Sequence, residues 1–121
     1  MAIIYVALGS ALGGVARYFV SKIITAYAAG MFPWGTFVVN VVGCFIIGLV
    51  YGFLDRGGVM SENTRLFLTV GFCGGFTTFS TFAHENFLLF QSGNFLTLAA
   101  YGSLSLFVGI LLAYLGFSIV K

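Results

Sequence analysis

The sequence predicts an all-α integral membrane protein of four spanning helices forming one domain over residues 1–121. Three observations carry that prediction. Hydrophobic residues make up 60% of the chain, above the roughly 45–50% apolar share of soluble domains. Charged residues make up 7%, where a soluble domain carries about 25%, so a water-facing surface cannot be built. Apolar stretches long enough for a hydrocarbon core of about 30 Å, which takes about 20 helical residues to cross, recur four times between short polar links. The same figures exclude a lone soluble enzyme and a disordered chain, and five basic residues cannot track a phosphate backbone.

Polar and turn residues punctuate the chain. The first span is expected over about Ile3 to Tyr27, and the second over about Thr36 to Leu54, opened by Pro33, whose fixed φ and missing N–H suit a helix start. Asp55 to Asn63 is the one distinctly hydrophilic loop, with Ser61 and Thr64 as candidate N-caps for a third span over about Arg65 to Phe90. The fourth span is expected over about Leu96 to Val120. Gly9 and Gly13, Gly48 and Gly52, and Gly71 and Gly75 stand four apart, the spacing that lets helix backbones approach closely in lipid.

Four spans put both termini and the Asp55 to Arg65 loop on one side of the membrane, with Arg56, Arg65 and Lys121. The other side has Lys22, with Arg17 reaching toward it from within the first span. The positive-inside rule therefore finds almost no bias, and the chain hardly specifies its own orientation. One reading of this is insertion in both orientations.

The run from Gly71 to Phe82 breaks the pattern of a lipid-facing helix. Gly74 and Gly75 each cost about 1 kcal/mol of helix propensity relative to Ala, and Thr77, Thr78, Ser80 and Thr81 crowd hydroxyls beside them. Irregular backbone at membrane depth survives where it is buried in protein or lines a wet cavity, and a broken helix offers carbonyls and amides to ions. The run therefore predicts a third helix broken at the membrane midplane; an unbroken helix with its hydroxyls bonded back to their own carbonyls is the plain alternative. Phe76, Phe79 and Phe82 recur every third residue, which predicts one aromatic helix face. Ring edges carry partial positive charge, so such a face can hold an anion weakly, the balance that conduction needs; packing is the blander reading.

Asn40 is the one strongly polar side chain inside the second span, expected to bridge helices or serve an ion. Glu85 is the one acidic residue within a span, a functional candidate that could instead pair with Arg17 or Lys22. Tyr101 and Ser105 stand four apart and share a face of the fourth span. Cys44 and Cys73 lie inside apolar runs, His84 carries no assigned role, and Trp34 reads as an interfacial anchor. No metal-ligand cluster, phosphate loop or carboxylate pair supports enzyme chemistry, so the residues point to permeation or binding.

Gly13-Gly14 with Arg17-Tyr18, Gly35-Thr36 with Asn40 and Gly43, and the run Gly74 through Phe82 together resemble the Fluc, or CrcB, family of fluoride channels. The resemblance covers essentially the whole chain, and the Gly-Gly-Phe-Thr-Thr-Phe-Ser-Thr-Phe run is its most specific part. It implies an antiparallel, dual-topology homodimer in the bacterial inner membrane, with two pores each lined by both subunits, exporting fluoride passively and so lowering its toxicity. By the same resemblance Asn40, Phe79 and Phe82 line the fluoride path. Ser80, Thr81, Glu85, Tyr101 and Ser105 form a polar track. The backbone carbonyls of Gly74 and Thr77 from both protomers hold a structural sodium ion at the dimer interface. The rival reading is a proton-coupled exporter similar to the small multidrug resistance family, which calls for a carboxylate deep in the first span that this chain lacks. A purely structural membrane subunit would leave the hydroxyl and glycine run without purpose.

Overall fold

All four apolar stretches are helical in the computed structural model, which describes residues 1–120; Lys121, counted above among the charges, lies outside the described residues. Helix α1 is Ala2–Tyr27 and α2 is Trp34–Asp55, the latter beginning directly after Pro33, whose carbonyl accepts from Phe37 N–H at 3.1 Å. Helix α3 follows the hydrophilic loop in three continuous pieces: α-helical Glu62–Leu66, π-helical Phe67–Cys73 and a single α turn, Gly74–Phe76. Ser61 caps it as expected, its Oγ accepting the Thr64 amide at 3.1 Å. Helix α4 is Phe79–Gln91, and a turn through Gly93 at φ +77° leads into α5, Phe95–Val120. Four stretches, Ala2–Tyr27, Trp34–Asp55, Glu62–Gln91 and Phe95–Val120, are long and apolar enough to cross a membrane, and no strand occurs among the described residues.

Large apolar side chains are exposed along α1 and α5, including Leu8, Leu12, Phe19, Leu106, Phe107 and Ile110. Water would penalise such a surface, whereas lipid tails accept it without cost. The interior is correspondingly small, with Val39 and Tyr101 fully buried and Val41, Val50, Phe76 and Leu89 nearly so.

Glycines take the place of a large core. Helix α1 packs on α3, where a Cβ built on Gly75 would lie 2.6 Å from the Ser10 carbonyl oxygen and 3.1 Å from the Gly14 amide nitrogen. Helix α2 packs on α5, where a Cβ on Gly48 would collide with the Ala113 carbonyl. All three four-residue glycine pairs read from the sequence lie on these two seams. Close backbone approach gives dispersion contact where no hydrophobic force acts between helices.

Gly74 and Gly75 differ sharply. Gly75 is enclosed, but a Cβ on Gly74 would meet nothing nearer than the Thr69 carbonyl at 3.8 Å. Gly75→Ala is therefore expected to cost about 1–3 kcal/mol through overpacking, while Gly74→Ala leaves the packing within one chain unchanged. Thermal loss of the native elution peak of each variant measures the difference.

One expectation needs correction here. Gly74 and Gly75 are themselves helical, and within the run Gly71 to Phe82 the residues that leave the helix are Thr77 (φ −91°, ψ 161°) and Thr78 (φ −152°, ψ 118°). Helical phase is therefore lost between Phe76 and Phe79, and the three phenylalanines do not form one face. Phe76 is buried and stacked on Phe72, with ring centroids 5.6 Å apart, whereas Phe79 is 79% exposed.

Candidate functional site

Asn40 organises the extended pair. Its Oδ1 accepts the Thr78 amide at 2.7 Å, and its Nδ2 donates to the Thr78 carbonyl at 3.2 Å. One amide side chain thus satisfies both backbone groups of a residue that has left the helix, which buried polar groups require. The Thr78 hydroxyl then caps α4 by accepting the Thr81 amide at 3.2 Å, and donates to Thr81 Oγ1 at 3.1 Å. Ser80 Oγ lies 3.4 Å from the same Thr78 hydroxyl.

These bonds bear on the carbonyls of Gly74 and Thr77. In a continuous helix those oxygens would accept from the amides four residues on, those of Thr78 and Thr81. Both amides are given to side chains instead, Thr78 N–H to Asn40 and Thr81 N–H to Thr78. The Gly75 carbonyl between them accepts from Arg17 Nε at 3.0 Å, and the Thr77 side chain folds back to donate to the Cys73 carbonyl at 2.8 Å. The C-terminal end of a helix carries partial negative charge, so oxygens stripped of their donors there suit a cation.

Two cavities meet at this point. The larger, about 740 Å³, is lined by Asn40, Gly43, Gly74, Thr77, Thr78, Phe79, Phe82 and Ser105 among others. The second, about 580 Å³, opens past Arg17, Lys22, Thr36, Thr78, Thr81 and Glu85. Thr78 belongs to both walls. On the larger cavity Phe79 and Phe82 lie 5.9 Å apart by ring centroids, and Phe82 packs at 4.9 Å on Tyr101. Ser105 Oγ is buried there without a hydrogen-bond partner among the described residues, a polar group that calls for one.

Glu85 does not pair with Arg17 or Lys22. Its two carboxylate oxygens accept from Tyr101 Oη at 2.8 Å and from Thr36 Oγ1 at 3.0 Å, while Arg17 turns to the Gly75 carbonyl and Lys22 lies 5.7 Å from the Tyr18 ring centroid. The arrangement brings the carboxylate under two hydroxyl donors on the wall of the second cavity.

A family model described as CrcB-like protein, Camphor Resistance (CrcB), matches residues 4–117. The chain belongs to the CrcB family. A Flavobacterium psychrophilum relative named fluoride-specific ion channel FluC is 44% identical over 119 residues, covering 98% of this chain and 96% of its own length. Relatives of the same name from Azobacteroides pseudotrichonymphae and Geobacter sulfurreducens are 40% and 50% identical, over 98% and 77% of this chain and 95% and 75% of their own lengths. With bacterial relatives of this kind and four helices able to cross a membrane, the CrcB chain is a multi-pass protein of the bacterial inner membrane. These relatives are named as channels, not as enzymes.

Of the residues expected at the site in this CrcB chain, Asn40, Phe79, Phe82 and Ser105 share the larger cavity with Gly74 and Thr77, and Thr81 and Glu85 share the smaller. Tyr101 reaches the smaller set through Glu85, and Ser80 touches it through Thr78. Arg17, Thr36 and Thr78 were not expected at the site by role. Their partners lie 58, 49 and 38 positions away respectively, and no local pattern announces such bonds.

Proposed function

We propose that the chain is a passive, fluoride-selective channel that lets fluoride leave the cytoplasm. The observation that carries this reading is a largely apolar cavity whose wall includes the neutral polar residues Asn40, Thr77, Thr78 and Ser105 and the rings of Phe79 and Phe82, in a chain whose relatives named fluoride-specific channels match it over up to 98% of its length. An amide, hydroxyls and ring edges attract a small anion without the full opposite charge that would trap it. A negative-inside potential drives a monovalent anion outward with about 2.3 kcal/mol per 100 mV, so no coupling reaction is required. Fluoride would pass from the hydroxyls of Ser80 and Thr81, near Glu85 and Tyr101, across Thr78 to Asn40, Phe79, Phe82 and Ser105.

The functional unit in this reading is an antiparallel homodimer, with the third span broken at mid-membrane by the extended Thr77 and Thr78. Support comes from Phe79, 79% exposed in one chain at the edge of an open cavity that a second copy would close. The near balance of Lys and Arg at the two sides supports the antiparallel arrangement.

The carbonyls of Gly74 and Thr77, deprived of their helical donors, fit a monovalent cation of the sodium type. No group of three His, Cys, Asp or Glu is gathered anywhere among the described residues, so backbone oxygens are the ligands this fold offers. Two such pairs related by the dimer axis would give four oxygens; a bound sodium ion would neutralise the negative helix ends and tie the copies together. The proton-coupled exporter reading finds no support in the relatives, and α1 contains no carboxylate.

Liposomes containing the purified protein, loaded with fluoride and given an outward gradient, test this. Electrogenic fluoride efflux without accompanying sodium flux is expected. Proton-linked cation exchange would replace the channel reading, and sodium flux with fluoride would remove the structural role of the carbonyl site.

A further inference from the structure

Among the described residues Arg17 is the one basic residue whose side chain bonds the backbone of the third span, and its bond lies at the interruption. Nε donates to the Gly75 carbonyl at 3.0 Å, one residue beyond Gly74 and two short of Thr77. The packing of the α1–α3 seam makes this reach possible, because Gly75 lies against Ser10 and Gly14 with no room for a Cβ.

The three carbonyls of Gly74, Gly75 and Thr77 are thus in different states. Gly74 and Thr77 have lost their helical donors to Asn40 and Thr78, while Gly75 receives a charged one. A guanidinium is permanently protonated and its bond to a carbonyl is charge-assisted, so the Gly75 oxygen is turned toward α1 and withdrawn from any competing cation. Without that anchor no side-chain hydrogen bond among the described residues would reach the turn Gly74–Phe76, which leads into two extended residues.

We infer that Arg17 is a positioning residue of the cation site: by claiming the Gly75 carbonyl it fixes the turn that presents the Gly74 and Thr77 carbonyls. The inference rests on the reading that those two carbonyls hold sodium. It assigns Arg17 a role beyond that of a positive charge at the mouth of the smaller cavity, and the two roles predict opposite signs. A bare positive charge repels sodium, so its removal would tighten sodium binding. An anchor helps sodium, so its removal weakens binding, by about tenfold if one charge-assisted hydrogen bond is lost.

The test measures thermal stability of the full-length protein against sodium concentration, with N-methylglucamine as the replacement cation. Wild type, Arg17→Gln, Arg17→Lys and Lys22→Gln are compared. Lys22 lines the same cavity but bonds no backbone of α3, and so controls for charge at the mouth. Arg17→Gln is expected to need about tenfold more sodium for half of the stabilisation, Lys22→Gln the same as wild type. Arg17→Lys keeps the charge and loses the planar donor, and is expected to need severalfold more; should Arg17→Gln not fold, this variant carries the comparison. Tighter sodium binding in Arg17→Gln, or a wild-type response in Arg17→Lys, overturns the inference. Absence of any sodium effect in the wild type overturns the sodium reading itself, a result distinct from either.

Discussion

Replacing Phe79 by Ile is expected to cut fluoride flux on the order of tenfold or more, the consequence of about 1.4 kcal/mol lost at an ion site, while leaving the protein folded. Isoleucine keeps apolar bulk but removes the ring quadrupole, so packing alone predicts little change and edge contact with the anion predicts a large one. The structure makes Phe79 the cleaner of the two tests. Within one chain it is 79% exposed and touches Phe82, so its removal disturbs no core. Phe82 packs at 4.9 Å on the fully buried Tyr101, and Phe82→Ile would also loosen the residue that donates to Glu85. Both variants should lose flux, but Phe82→Ile should lose thermal stability as well. Wild-type flux in both, in protein that elutes as wild type does, would reduce the rings to packing and shift the anion path toward Asn40 and the hydroxyls.

Adding positive charge to the loop between α2 and α3 is expected to abolish function altogether. Val59 is 92% exposed there, and Val59→Lys and Met60→Lys in the loop, with Asn63→Lys in the first turn of α3, should together hold that loop in the cytoplasm. If the working unit needs two opposed copies, a singly oriented population is inactive. Activity should return on co-expression with a copy carrying Ala28→Lys, Ala29→Lys and Gln91→Lys at the opposite side. Full flux from the first variant alone would end the antiparallel reading and leave the channel reading standing.

The spans were legible because each is a long apolar run closed by residues with a local reason to end it. Pro33 starts α2, Ser61 caps α3, and Gly93 makes the turn before α5. Glycine spacing was legible for the same reason, since close approach leaves a four-residue mark on α1, α2 and α3. The site was legible only as a set of residue types. Asn40 signalled a polar duty, but that it would hold both backbone groups of Thr78 depends on how α2 meets α3, which no window of sequence contains. Opposite charge suggested a partner for Glu85, yet hydroxyls of Thr36 and Tyr101 reach it instead. The aromatic face failed at Phe76 because a periodicity argument assumes an unbroken helix, and two extended residues reset the phase.

The order of the glycine seams bears on how the chain is made. Helix α1 closes on α3 and α2 on α5, so the partnerships interleave along the polypeptide. A nascent chain with two spans inserted holds one half of each seam and the complement of neither. Neither interlock can form until the third span leaves the ribosome, and the second waits for α5. Until then α1 and α2 have only their contact with each other, at Gly35 against Ser21 and Thr25, and the glycine faces of both seams wait for their partners.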